Sequence, residues 1–183
     1  MMKNSPLSEQ EKDTLLSVAR QSIKTWLEGN KTPSFEISHP LLLENRGAFV
    51  TLKRDHELRG CIGTFITEKS LYETVIEMAI AAATKDPRFH PLDLDELDTI
   101  SVEISVLSKL NLIDDISEIK VGTHGIFIVK GLYKGVLLPQ VATENMWDRY
   151  TFLEHTCIKA GLQPDAWKEG CEIYIFSAEI FGE

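Results

Sequence analysis

The order of apolar patterns along the chain predicts an α+β protein, with a mainly antiparallel sheet and flanking helices. Three observations carry this. Residues 8–29 and 70–85 repeat apolar side chains at helical spacing. Residues 100–107 alternate apolar and polar side chains, as a strand buried on one face does. Strand-like runs also come in neighbouring pairs joined by short turns, which argues against a βαβ alternation. At 183 residues the chain suits a compact single domain or two intimately packed subdomains.

Each element has a local cause. Ser8 to Gly29 opens with Ser8 and Glu11 in capping-box spacing, carries Leu15, Ala19, Ile23, Trp26 and Leu27 on one stripe, and stops at Gly29-Asn30. Lys31 to Asn45, with Pro33 and Pro40, reads mainly as loop. Ala48 to Lys53 is a strand, Arg54 to Glu57 a polar turn and Leu58 to Phe65 a second strand, together a hairpin. Ser70 to Lys85 is so apolar that little polar face remains, and Asp86-Pro87 ends it. Leu92 to Leu97 is a helical turn, Ile100 to Leu107 a strand, and Asn111 to Lys120 a linker with a short turn or strand. Gly122 to Gly125 is a tight turn leading into a hairpin, Ile126 to Val129 with Val136 to Leu138. A helix follows from about Glu144 to Gly161, with Met146, Tyr150, Leu153, Cys157 and Ala160 as its apolar stripe. The last strand lies within 171–181, at Ile173 to Phe176.

Composition narrows the function. The net charge is −9, with no lysine or arginine run, which argues against broad nucleic-acid binding through phosphate neutralisation. The longest strongly apolar runs, such as Val75 to Ala83, are far short of the ~20 residues that span a bilayer. No signal peptide is legible at the N-terminus, so the cytoplasm is expected. Three widely spaced cysteines give neither a disulfide framework nor a zinc spacing, and five scattered histidines suggest no metal site. Phosphate-binding glycine loops, a Gly-x-Ser-x-Gly elbow and His-Glu-x-x-His are all absent, leaving any cofactor unknown.

The chemistry centres on Leu58-Arg59-Gly60-Cys61-Ile62-Gly63-Thr64-Phe65. Strict alternation puts Arg59, Cys61, Gly63 and Phe65 on one face. An arginine beside a thiol favours the thiolate, the reactive form, and Gly63 leaves a gap through which another group can reach the backbone. Cys61 is therefore a candidate nucleophile. The competing reading is a small buried hydrophobe beside glycines that mark a bulge. His124, between two glycines, is the candidate base; Glu144 could orient it or stabilise a helix start; Gln140 could donate to an oxyanion. Arg59 and Arg88, with Gly60 and Gly63, are candidate binding residues for a small anionic substrate. Arg88 could equally tie down Asp86.

That stretch, with Gly47 to Leu52, Asp86-Pro87-Arg88-Phe89, Val102 to Ser108, Gly122 to Ile126 and Gly135 to Ala142, resembles the AMMECR family, whose prokaryotic members are called AmmeMemoRadiSam system protein A. The resemblance spans 8–183, with strand and helix blocks at about 47–85 and 100–161. It implies a compact α+β protein, often described as two subdomains with the cysteine motif lining a cleft between them, and no established reaction. It also implies partners: a Memo-like protein and a radical S-adenosylmethionine protein, encoded alongside and suggestive of a shared modification pathway. Two readings stay open. One is an enzyme in which Cys61 acts on a small anionic or nucleotide-like substrate; the other is a non-enzymatic adaptor or ligand-binding subunit. RNA modification, a third suggestion for the family, sits badly with the acidic charge balance.

Overall fold

A computed structural model describes residues 6–183. The chain divides into two units, one running to Leu107 and taking back Glu179–Glu183, the other formed by Ser108–Ala178. Each has its own four-stranded sheet and its own core, so the architecture is α+β with antiparallel pairing.

In the first unit, helix α1 (Glu9–Gly29) starts at Ser8, whose hydroxyl and backbone are reciprocated by Glu11, and ends at Asn30 in a left-handed conformation. Strands β1 (Ala48–Arg54), β2 (Glu57–Thr64) and β3 (Ile100–Leu107) follow, with helix α2 (Leu71–Thr84) between β2 and β3. The final strand, β8 (Ala178–Gly182), completes the order β2-β1-β3-β8. Val50 and Leu52 of β1 and Val102 and Ile104 of β3 meet Leu15, Ala19 and Ile23 of α1 and Val75, Ala79 and Ala82 of α2 in one core. α2 is apolar nearly all round because almost all of it is buried.

The second unit orders its strands β4-β7-β5-β6: β4 (Asn111–Ile113), β5 (Gly125–Lys130), β6 (Tyr133–Leu137) and β7 (Glu172–Phe176). Ile126, Ile128, Ile173 and Ile175 pack with Phe152, Leu153 and Cys157. The helix expected over 144–161 is two helices, α3 (Pro139–Glu144) and α4 (Arg149–Lys159). Pro139 sits at the first turn of α3, where its missing N–H costs nothing. Met146 breaks the run with φ 54°, and Asp148 caps α4 by accepting from the Thr151 N–H. Met146 is consequently 92 % exposed and Tyr150 is also exposed, so neither belongs to the core stripe. The expected strand within 171–181 is likewise two strands in different sheets, parted at Ser177. No helix among the described residues is long and apolar enough to cross a membrane.

Candidate functional site

The β1–β2 hairpin builds the site. Asp55 and His56 both adopt positive φ, 53° and 67°, giving the two-residue turn whose twist matches antiparallel strands. It sets Arg54 opposite Glu57 in the ladder. The register then slips: Lys53 faces Leu58 and Leu52 faces Gly60, so Arg59 is the extra residue of a β-bulge. Strict alternation would align Arg59 with Cys61, but the bulge re-aims it. Its Nε lies 3.1 Å from Glu96 Oε1, its Nη2 2.8 Å from Glu96 Oε2, and its Nη1 3.1 Å from the His90 carbonyl. All three guanidinium nitrogens are thereby used within the protein.

The two motif glycines answer to packing. A Cβ on Gly60 would fall 2.3 Å from the Ala82 carbonyl oxygen, so Gly60 lets α2 lie directly on β2. The gap over Gly63 is filled by the Phe49 ring, 2.2 Å from where a Cβ would stand. Phe49 in turn makes an edge-on contact with Phe65 at 5.0 Å.

Cys61 is a half-buried free thiol. Its sulfur accepts a hydrogen bond from Thr51 Oγ1 at 3.2 Å. Thr51 stands between Cys61 and Glu103 in the ladder, and Glu103 pairs with Lys53 at 2.7 Å. On the outer rim of β2 the Cys61 N–H donates to Asp86 Oδ2 at 2.8 Å. Asp86 is buried and also accepts from Arg88 Nε at 2.9 Å and Nη2 at 2.7 Å. Arg88 Nη2 makes a long contact, 3.5 Å, with the Cys61 carbonyl. Asp86 and Arg88 therefore occupy the free edge of β2 where a neighbouring strand would pair. Arg88's hydrogen bonds above all, aided by the Cys61 N–H, hold the Asp86 carboxyl well below the usual carboxylate range despite its burial. The same contact raises Arg88, with a smaller contribution from Cys61. Arg88 is thus the cation tied to the cysteine strand, while Arg59 serves Glu96.

An open cleft of about 630 Å³ adjoins this strand, lined by Arg54, Glu57, Leu58, Arg59, Pro87, Arg88, Phe89, His90 and Glu96. Arg54 Nη1 is 2.8 Å from Glu96 Oε1, and the side chain is 49 % exposed. Arg88, pinned by Asp86, is 54 % exposed and lies 5.5 Å from the Phe89 ring centroid. Arg88 is held along its Nε–Nη2 edge by Asp86 and Arg54 at Nη1 by Glu96, and each is half-exposed, presenting its remaining donors to an oxyanion. Cys61 is not among the lining residues.

His124, Gln140 and Glu144 belong to the second unit. His124 Nδ1 accepts from the Lys120 N–H at 3.3 Å. Burial lowers its pKa, partly offset by a hydrogen bond with the Glu118 backbone. Its imidazole is thus bonded into its own loop. Gln140 is half-buried, and its backbone carbonyl accepts from Thr143 Oγ1. Glu144 ends α3 rather than starting a helix, so helix-start stabilisation does not apply to it. Glu96 and the Asp86–Cys61 link are the residues sequence reasoning missed. They reach their partners across 37 and 25 positions and leave no local pattern. Among the described residues no group of three His, Cys, Asp or Glu side chains converges as a metal-binding cluster.

The AMMECR1 family profile matches residues 16–181. A protein of Methanosarcina acetivorans is 41% identical, with 97% of this chain and 94% of that one covered. One from Methanothermobacter thermautotrophicus is 44% identical, with 100% and 99% covered. The crystal structure of an uncharacterised protein from Pyrococcus horikoshii superposes with a TM-score of 0.83 at 42% identity, covering 97% of this chain and 93% of that one. On a profile match across nearly its whole length and relatives above 40% identity, this chain belongs to the AMMECR1 family.

Proposed function

We propose that the first unit binds a small anionic, nucleotide-like ligand in its arginine-lined cleft, and that Cys61, outside the lining but next to Arg88 on the adjoining strand, is the thiol that acts on it. The observation that carries this is the pair Arg54 and Arg88, each braced by a carboxylate and half-exposed to the same cleft. Phe89 and Leu58 add apolar surface suited to a base or ring. Arg88 links the cleft to the cysteine strand through Asp86 and the Cys61 carbonyl. The family resemblance supports a place in a modification pathway shared with Memo-like and radical S-adenosylmethionine proteins.

Calorimetric titration with adenosine monophosphate at low ionic strength tests the binding step. Saturable binding that weakens severalfold in Arg54→Gln and Arg88→Lys supports the reading, and binding indifferent to both removes it. Peptide-resolved iodoacetamide labelling of the native protein tests the thiol. Cys61 should react well ahead of the fully buried Cys157; equal sluggishness would make Cys61 structural.

A second reading, an adaptor for partner proteins, has its own support. A groove of about 470 Å³ in the same unit is walled by Trp26, Phe35, Tyr72, Ile76 and Ile80. An apolar protein tail would fit such a groove, and truncating its half-buried wall residue in Tyr72→Ala should then weaken capture of the pathway partners without altering nucleotide titration.

A further inference from the structure

We infer that the ligand of the arginine cleft is bipolar, carrying a cationic group beside its anionic one. This deepens the anion reading and rests on it. The reason is Glu57. It lines the same cleft as Arg54 and Arg88, yet among the described residues its carboxylate has neither an ion pair nor a hydrogen bond. Arg54 lies directly opposite it in the ladder, close enough in register to neutralise it. Instead the Arg54 guanidinium turns to Glu96 at 2.8 Å, the carboxylate that also receives Arg59. Glu96 thus holds two arginines, Asp86 holds the third, and Glu57 holds none.

A cleft built only for an anion gains nothing from an uncompensated carboxylate at its wall, which repels the ligand. The same carboxylate is complementary to an ammonium or another cationic donor on a ligand whose anion sits between Arg54 and Arg88. The bound ion then completes a charge pattern that the protein leaves open. The chemical class is a small zwitterion, with a phosphoryl or carboxylate group a few bonds from an amine.

O-phosphoethanolamine and ethyl phosphate test this, since they differ mainly in the ammonium group. Titrated into the full chain at low ionic strength, phosphoethanolamine should bind about three- to fivefold more tightly, the scale of one partly exposed charge pair. Glu57→Gln, an exposed substitution, should erase that preference without weakening ethyl phosphate. Equal affinities in the natural chain, or a preference that survives Glu57→Gln, would overturn the inference while leaving the anion reading intact. If neither compound binds while adenosine monophosphate does, this inference fails alone; if none of the three binds, the anion reading fails and this inference fails with it.

Discussion

Gly60 and Gly63 sit three residues apart in the same strand but answer to different neighbours. At Gly60 an added methyl meets the fixed Ala82 carbonyl at 2.3 Å, so Gly60→Ala should cost at least about 2 kcal/mol in urea unfolding, the upper range for overpacking. At Gly63 the obstacle is the Phe49 side chain. Gly63→Ala should therefore be rescued by Phe49→Leu, whereas no single side-chain change rescues Gly60→Ala. Non-additive unfolding energies in that double mutant are the check. At the hairpin tip, His56 carries φ 67° without being glycine. His56→Gly removes a Cβ that disfavours this conformation and should raise stability by about 1 kcal/mol, read as an upward shift in Tm.

At the scale of elements, the link that matters is the clamp from the end of α2 to the rim of β2. Asp86→Asn keeps the shape but loses the charge that accepts from Arg88 and the Cys61 N–H, and should cost about 2 kcal/mol. The pH dependence follows from the depressed Asp86 carboxyl. A lowered folded value contributes stability that is fully present above the unfolded carboxylate value of about 3.9 and is lost as pH falls toward the folded value. Wild-type protein should thus lose stability below about pH 4 more steeply than Asp86→Asn. Matching acid limbs in the two unfolding curves would dissociate the clamp from acid stability.

For the whole molecule, two sheets with two cores mean that damage should register first in the unit that suffers it. Cys157 is fully buried among Phe152, Leu153 and Ile128, and burial pushes its thiol up to about 11. Cys157→Ser places a hydroxyl in that apolar setting and should cost about 1–3 kcal/mol. Hydrogen exchange should quicken in peptides of Ser108–Ala178 before those of the first unit; a uniform loss of protection would argue for a single cooperative block.

Much of this protein is set by short-range pattern alone. The capping box at Ser8, the buried face of α2, the alternation of Ile100 to Leu107 and the hairpin between β1 and β2 all follow from spacing and turn chemistry, because each is decided within a few residues. Candidate residues were legible to the same depth: Cys61, Arg59 and Arg88 stand out locally as chemical types. Only tertiary structure decided what each does. The bulge moves Arg59 to Glu96, the Phe49 ring occupies the gap at Gly63, and Asp86 claims the Cys61 N–H from the far end of a helix. The strand after Ser177 joins the first sheet for the same kind of reason. A periodic pattern specifies that a strand exists and which face is apolar, but its partner is chosen by which open edge and which core the folded chain brings within reach.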